Sequence, residues 1–282
     1  LKGKEKMRDI KLLLFDIDQT LVDDDGMLKE HTKEVLDKLH ENGYYLGLSS
    51  GRYIQDDLIT YAKKWGLSYQ FDCIVACNGA HLYDGVHDRI HTYFELSTEE
   101  MKKIFAKMQK FDILAHIYYS DITLYSKEDP EVEEARAKYN KPILVAKTID
   151  EMCQRPTPKI MYFTPLENSK EIEEYAKSIC VGKSFDVVRT RDFMIEFVPR
   201  GCGKGYAMLE FAKLNGFTAK EIIAFGDTSN DNDMLAKSGI GVCLRNGTKD
   251  TKALADIITE KTIWEEGAIN CIETCFPELL KD

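Results

Sequence analysis

Two aspartates two residues apart, Asp16 and Asp18, follow a short apolar run over residues 10–15. In an extended chain, side chains two apart point to the same side. Crowded carboxylates repel, so one of them resists ionising unless a cation is present. A Mg²⁺ ion held by a few carboxylates answers that problem and keeps positions open for water and phosphate. A second apolar run, 221–225, leads into Gly226-Asp227, and Asp227 can bring a further carboxylate, with Asp231 and Asp233 close behind. The plainer reading is a set of loop aspartates capping helices, and an isolated D-x-D also serves as a metal site in glycosyltransferases.

Lys204 stands between Gly203 and Gly205 at a predicted helix start. Helix N-termini favour anions, and a lysine there adds a full positive charge. The plain alternative is an exposed lysine beside a turn. A P-loop would need Gly at 198 and Ser or Thr at 205, where the chain has Val198 and Gly205. A dinucleotide fingerprint would need Gly at 206, where it has Tyr206. Ser50-Gly51-Arg52 can hold a phosphate through a hydroxyl and backbone N–H groups, or can be a simple strand-to-helix turn. It lacks the preceding Gly-x of a nucleophile elbow. The six histidines show no metal-ligand spacing, although the stretch 84–91 is polar enough to note.

These residues share one setting. Apolar runs at 10–15, 44–48, 73–77, 221–225 and 239–244 each lead into a polar cluster. Runs without clean alternation suit strands buried on both faces. Amphipathic stretches lie between them: 29–42, 54–65 and 203–215, each stopped by a glycine. Strands alternating with helices predict an α/β fold, a doubly wound, Rossmann-like parallel sheet. Ligands of such sheets sit beyond the carboxyl ends of the strands. Asp16, Asp18, Ser50, Asn78 and Asp227 then line one rim.

The middle of the chain has a different texture. Asp84-Gly85 reads as a hairpin turn, and Ser97 with Glu100 as a capping box opening a helix to about residue 110. Residues 116–119 and 122–126 form a second hairpin. Helices are expected at 130–139 and 167–180, strands at 159–163, 185–189 and 193–198. Paired strands with interspersed helices predict an inserted α+β cap domain, 84–199, within a discontinuous core of 7–83 and 200–282. Residues 1–6 precede Met7 and stand outside this argument.

Lys and Arg number 38 against 48 Asp and Glu, a net charge of −10. An acidic chain without a basic stretch does not suit nucleic acid or an anionic membrane surface, so any anion site must be local. No apolar stretch nears the roughly 20 residues of a membrane helix. The eight cysteines lack zinc spacing and fit reduced thiols in a cytoplasmic protein.

In order, Asp16-Ile17-Asp18-Gln19-Thr20-Leu21, Ser50-Gly51-Arg52, Asn78-Gly79-Ala80, Lys204-Gly205 and Gly226-Asp227-Thr228-Ser229-Asn230-Asp231 resemble the motifs of the haloacid-dehalogenase superfamily. The large insert resembles that of its Cof-type sugar-phosphatase branch. Gln19 departs from the glycine usual there. The resemblance implies a phosphatase of small phosphorylated metabolites. Asp16 would be the nucleophile and Asp18 the acid and base. Mg²⁺ would sit on Asp16, the Asp18 carbonyl and Asp227, with Asp231 in support. Ser50, Gly51, Arg52, Asn78 and Asn230 would hold the substrate phosphoryl group, and Lys204 would bind it and orient Asp16. The cap would set specificity, with Tyr118, Tyr119, Tyr125 and Phe193 either stacking on a sugar or simply forming core. A phosphomutase and a non-catalytic binding protein are the alternatives.

Overall fold

The computed structural model describes residues 10–54, 58–119, 121–139 and 141–281. The chain forms two compact units, one of residues up to Tyr93 together with Gly203 onward, the other Phe94–Cys202. The first unit opens with strands β1 (Leu12–Asp16), β2 (Tyr45–Ser49), β3 (Cys73–Ala76), β4 (His81–Asp84) and β5 (Arg89–Thr92) and helices α1 (Glu30–Glu41) and α2 (Tyr61–Lys64).

The second unit follows. It holds β6 (Ala115–Tyr118), β7 (Thr123–Tyr125), β8 (Ile143–Val145), β9 (Ile160–Phe163), β10 (Phe185–Arg191) and β11 (Met194–Pro199). Its helices are α3 (Thr98–Met108), α4 (Pro130–Lys138), α5 (Ile149–Met152) and α6 (Ser169–Cys180). The chain returns to the first unit with α7 (Lys204–Leu214), β12 (Ile222–Gly226), α8 (Asn232–Lys237), β13 (Ile240–Cys243), α9 (Lys249–Leu254), β14 (Ile257–Ile258) and α10 (Gly267–Cys275).

The first sheet runs β14-β13-β12-β1-β2-β3-β4-β5. Pairings from β14 to β3 are parallel, whereas β4 and β5 are antiparallel additions at one edge. Strand β1 shows why the apolar runs do not alternate. Leu13 and Phe15 pack into one layer with Val35, Leu36 and Leu39 of α1 and Ile269 and Ile272 of α10. Leu12 and Leu14 pack into the other, with Met208 and Phe211 of α7 and Met234 and Leu235 of α8. Helices on both faces leave no solvent side, so every position is apolar until the strand ends at Asp16. This is the doubly wound α/β arrangement.

Three details differ from the sequence expectations. The Asp84-Gly85 hairpin exists, but its strands extend the first sheet, and the second unit starts only at Phe94. The reason is burial: Leu82 and Tyr83 fall in opposite layers of the first unit. The helix expected over 54–65 is a 3₁₀ turn at Leu58–Thr60 followed by the short α2, with 55–57 outside the described residues. Helices α5, α8, α9 and α10 and strands β8 and β14 were not anticipated.

In the second unit the sheet order is β10-β11-β9-β6-β7-β8. One face, with Ala115, Ile117, Ile160, Tyr162, Ile195 and Phe197, packs on α3, α5 and α6. Ser97 caps α3 through the expected box with Glu100. On the other side Tyr125 joins Val132 and Ala135 of α4. Tyr119 and Tyr125 are therefore core residues at 4% exposure, whereas Phe193 is 40% exposed. Among the described residues no helix is long and apolar enough to cross a membrane.

Candidate active site

Strand ends β1 and β12 lie side by side, with Phe15 paired to Phe225. Asp16 and Asp227 therefore emerge from neighbouring strands at the same rim. Asp231 reaches them from the 3₁₀ turn Ser229–Asp231 just after β12. Its Oδ2 accepts hydrogen bonds from the backbone N–H groups of Asp227, at 2.9 Å, and Thr228, at 3.1 Å. That close turn requires a glycine: a Cβ on Gly226 would stand 2.5 Å from Asp231 Cβ. Oxygen atoms of Asp16, Asp227 and Asp231 all lie within 4.8 Å of one another.

Lys204, the first residue of α7, is fully buried and donates to Asp16 Oδ1 at 2.5 Å and Asp231 Oδ1 at 2.6 Å. Two contacts fix the start of this helix. Asp233 Oδ2 accepts from Gly205 N at 3.0 Å. Gly79, in a left-handed conformation (φ 99°), lets the loop after β3 press against Gly203, whose carbonyl oxygen would lie 2.0 Å from any Cβ at position 79.

The electrostatics follow from burial. Loss of water pushes the Asp16 pKa well above the usual carboxylate range, Asp231 adds to this, and Lys204 opposes it. Burial and the Asp231 charge push Asp227 up to about 6, against the hydrogen bond it accepts from Thr20 Oγ1 at 3.0 Å. Burial works against the Lys204 charge, and Asp16 and Asp231 overcome it, so the ammonium holds its proton more tightly than usual. Two of the three clustered carboxyl groups, Asp16 and Asp231, share one ammonium and Asp227 stands beside them, so hard oxygen donors outnumber the positive charge. That donor set fits a small divalent cation such as Mg²⁺.

The remaining candidates gather at the same rim. Ser50 is buried and its Oγ accepts from Arg52 N at 3.1 Å. Gly51 backs onto the Asn78 amide, and Asn230 Nδ2 donates to Asn78 Oδ1 at 3.2 Å. Asp18 is not one of the three clustered carboxylates: its side chain is 54% exposed and pairs with Arg52 at 2.5 Å, and its charge adds to the upward push on Asp227. Sequence reasoning gave no role to Thr20, Asp233 or Tyr61, whose hydroxyl accepts from Arg52 Nη1. Thr20 lies within the first motif, and a hydroxyl two residues past Asp18 was the available signal. Tyr61 carried none.

Gln19 has φ 66°, the left-handed region. That is the backbone a glycine adopts freely, the residue that the motif resemblance leads one to expect at this position. Here the turn is held by Gln19 N donating to Val22 O at 2.8 Å and by Asn246 Nδ2 donating to Gln19 O at 2.9 Å.

Carboxyl groups beside one buried ammonium, at the carboxyl end of a parallel sheet, can hold a divalent cation and place a fixed positive charge beside it. The model of the haloacid dehalogenase-like hydrolases matches residues 13–271, and the chain belongs to that family. Within it, this is a phosphatase. The chain is 25% identical over 274 residues to the 5-amino-6-(5-phospho-D-ribitylamino)uracil phosphatase YitU of Bacillus subtilis, covering 94% of this chain and 97% of that one. A haloacid dehalogenase-like hydrolase from Bacteroides thetaiotaomicron shares the fold at TM-score 0.79 and 23% identity, over 95% of this chain and all 100% of its own. The subclass IIB sugar phosphatase BT4131 shares it at TM-score 0.76 and 22% identity, over 93% and 98%.

Proposed function

We propose that the chain hydrolyses phosphomonoesters of small polyhydroxylated metabolites, sugar phosphates above all, through a phosphorylated aspartate and with Mg²⁺. The observation that carries this reading is the buried Lys204 ammonium shared between Asp16 and Asp231 beside Asp227. It leaves Asp16 an anchored carboxylate whose approach to a phosphate is offset by a fixed positive charge. YitU is named for a phosphorylated ribityl compound and BT4131 for sugar phosphates, and both names support a phosphate carried on a polyol carbon.

An Asp16 oxygen forms a bond to phosphorus while the bond from phosphorus to the leaving oxygen breaks, and Asp18 gives that oxygen its proton. Water then attacks phosphorus, Asp18 takes the water proton, and the bond to Asp16 breaks to release phosphate. Lys204 holds Asp16 in line and offsets developing charge. Ser50, Gly51, Asn78 and Asn230 hold the phosphoryl oxygens. Asp16, Asp227 and the Asp18 carbonyl, with Asp231 in support, would hold Mg²⁺, which when bound offsets the repulsion between carboxylate and phosphate. The second unit, Phe94–Cys202, selects the substrate. The enzyme works in the cytoplasm, where its cysteines remain thiols.

The test is phosphate release from sugar phosphates, nucleotides and p-nitrophenyl phosphate, with Mg²⁺ or chelator, for wild type and Asp16→Asn. We expect Mg²⁺-dependent release, fastest on sugar or polyol phosphates and abolished in a folded Asp16→Asn. Undiminished release from that variant would sink the nucleophile assignment, and a preference for nucleotides would sink the substrate class.

A further inference from the structure

Asp18 is held by one of its two oxygens. Its Oδ1 accepts from Arg52 Nη2 at 2.5 Å, while its Oδ2 makes no hydrogen bond among the described residues. Arg52 is itself braced. Its Nη1 donates to the Tyr61 hydroxyl, and its guanidinium carbon lies 5.8 Å from the centre of the Tyr61 ring. Tyr61 is 2% exposed and packs on Trp65 at 4.8 Å. The Arg52 backbone is pinned as well, donating to Ser50 Oγ at 3.1 Å and accepting from Cys77 N at 2.8 Å. A planar guanidinium with its two ends on Tyr61 and Asp18 fixes the direction of the Asp18 carboxyl, which at 54% exposure would otherwise sample several rotamers.

We infer that Arg52 is a positioning residue for proton transfer. It anchors Asp18 through Oδ1 and leaves Oδ2 to give its proton to the leaving oxygen and, in the second half-reaction, to take one from water. Arginine keeps its own protons in proteins, so the transferred proton stays on the path between Asp18 and the reacting oxygen. The direct role expected for Arg52, as a phosphate ligand, would need its guanidinium turned toward the phosphoryl group, whereas both ends are engaged elsewhere. The inference rests on the acid–base role proposed for Asp18.

Leaving groups separate these roles. An alkyl phosphate expels a strongly basic oxygen that must be protonated as it leaves. The p-nitrophenolate of p-nitrophenyl phosphate needs little help. The ratio kcat/KM reports the step that expels the leaving group. The measurement is therefore kcat/KM on both substrates, with the inhibition constant of inorganic phosphate, for wild type, Asp18→Asn, Arg52→Met, Arg52→Lys and Tyr61→Phe.

We expect Arg52→Met to lose about 100-fold on the alkyl phosphate, the scale of a misplaced acid–base group, and at least about tenfold less on p-nitrophenyl phosphate. Inhibition by phosphate stays as in wild type, Arg52→Lys falls between, and Tyr61→Phe shifts in the same direction by less. Should Arg52→Met fail to fold, the last two variants carry the test by the same ratio. Equal losses on both substrates with weakened phosphate inhibition would overturn the inference and make Arg52 a phosphate ligand. Leaving-group dependence in Asp18→Asn but in no Arg52 or Tyr61 variant would overturn the inference alone. No such dependence in Asp18→Asn would overturn the acid–base assignment and the inference with it.

Discussion

His116 should make the protein acid-labile by a calculable amount. Its ring is 2% exposed, and neither nitrogen makes a hydrogen bond among the described residues. Tyr118, Tyr125 and Phe163 surround it at ring-centre distances of 4.8, 5.1 and 5.2 Å. Burial, helped by the charges of Lys159 and Lys141, lowers its pKa from 6.5 to about 3. Lys159 is itself paired with Glu196 at 3.1 Å. The folded protein thus keeps His116 neutral, while the unfolded chain takes up a proton below 6.5. Stability is complete above that value and falls as pH drops from 6.5 toward 3. At pH 5, one and a half units below the unfolded pKa, the loss is about 2 kcal/mol. Because pH 5 lies well above the folded value, that figure hardly depends on it.

The assay is urea unfolding at pH 7.5 and pH 5 for wild type and His116→Leu. Other groups titrate in this range, and the difference between the two proteins isolates the histidine. His116→Leu should lose about 2 kcal/mol less than wild type across the interval. An equal loss in both proteins would mean that His116 stays protonated in the fold or does not sense its burial.

Two further substitutions probe the rim. Lys204→Met strands the Asp16 and Asp231 carboxylates, and should cost about 3–5 kcal/mol in denaturant unfolding and reduce phosphate release to background; a variant as stable as wild type would mean that the carboxylates are already neutral. Gln19→Gly relieves the left-handed backbone strain, worth about 1 kcal/mol, and should raise the melting temperature by about 2 °C; a lower temperature would show that the hydrogen bond from Gln19 Nε2 to Asp24 Oδ1, at 2.7 Å, outweighs the backbone.

Features set by local burial were readable before the structure. Leu12 to Phe15 and Ile222 to Phe225 lack alternation because both faces of their strands are covered, so their ends, and with them Asp16 and Asp227, could be located. Ser97 and Glu100 satisfy each other within one turn, so that helix start was equally plain. The Asp84-Gly85 turn was recognisable, but a boundary at 84 cut the hairpin there and gave β5 to the insert; Leu82 and Tyr83 pair with Val75 and Ile74 of β3, and β5 follows β4 into the same sheet. The Arg52–Asp18–Tyr61 arrangement had no signal at all. Arginine beside a Ser-Gly turn suggests an anion, and only the folded chain brings a carboxylate 34 residues away onto its guanidinium. The helix expected over 54–65 shrank because apolar spacing at Leu58, Tyr61, Ala62 and Trp65 requires burial on one side but not a continuous helix.

The points where the chain leaves and re-enters the first unit are neighbours. Tyr93, the last residue before the insert, meets the Tyr206 ring at 5.4 Å. Within the insert, Phe94 likewise lies beside Gly201. Each unit therefore presents a closed doorway, and neither needs the other's length to bring its ends together. Insertions are tolerated where chain ends already meet, because little loop entropy must be spent on closing them. The parallel sheet and its rim can thus remain constant while the segment threaded through that doorway is lengthened, shortened or exchanged.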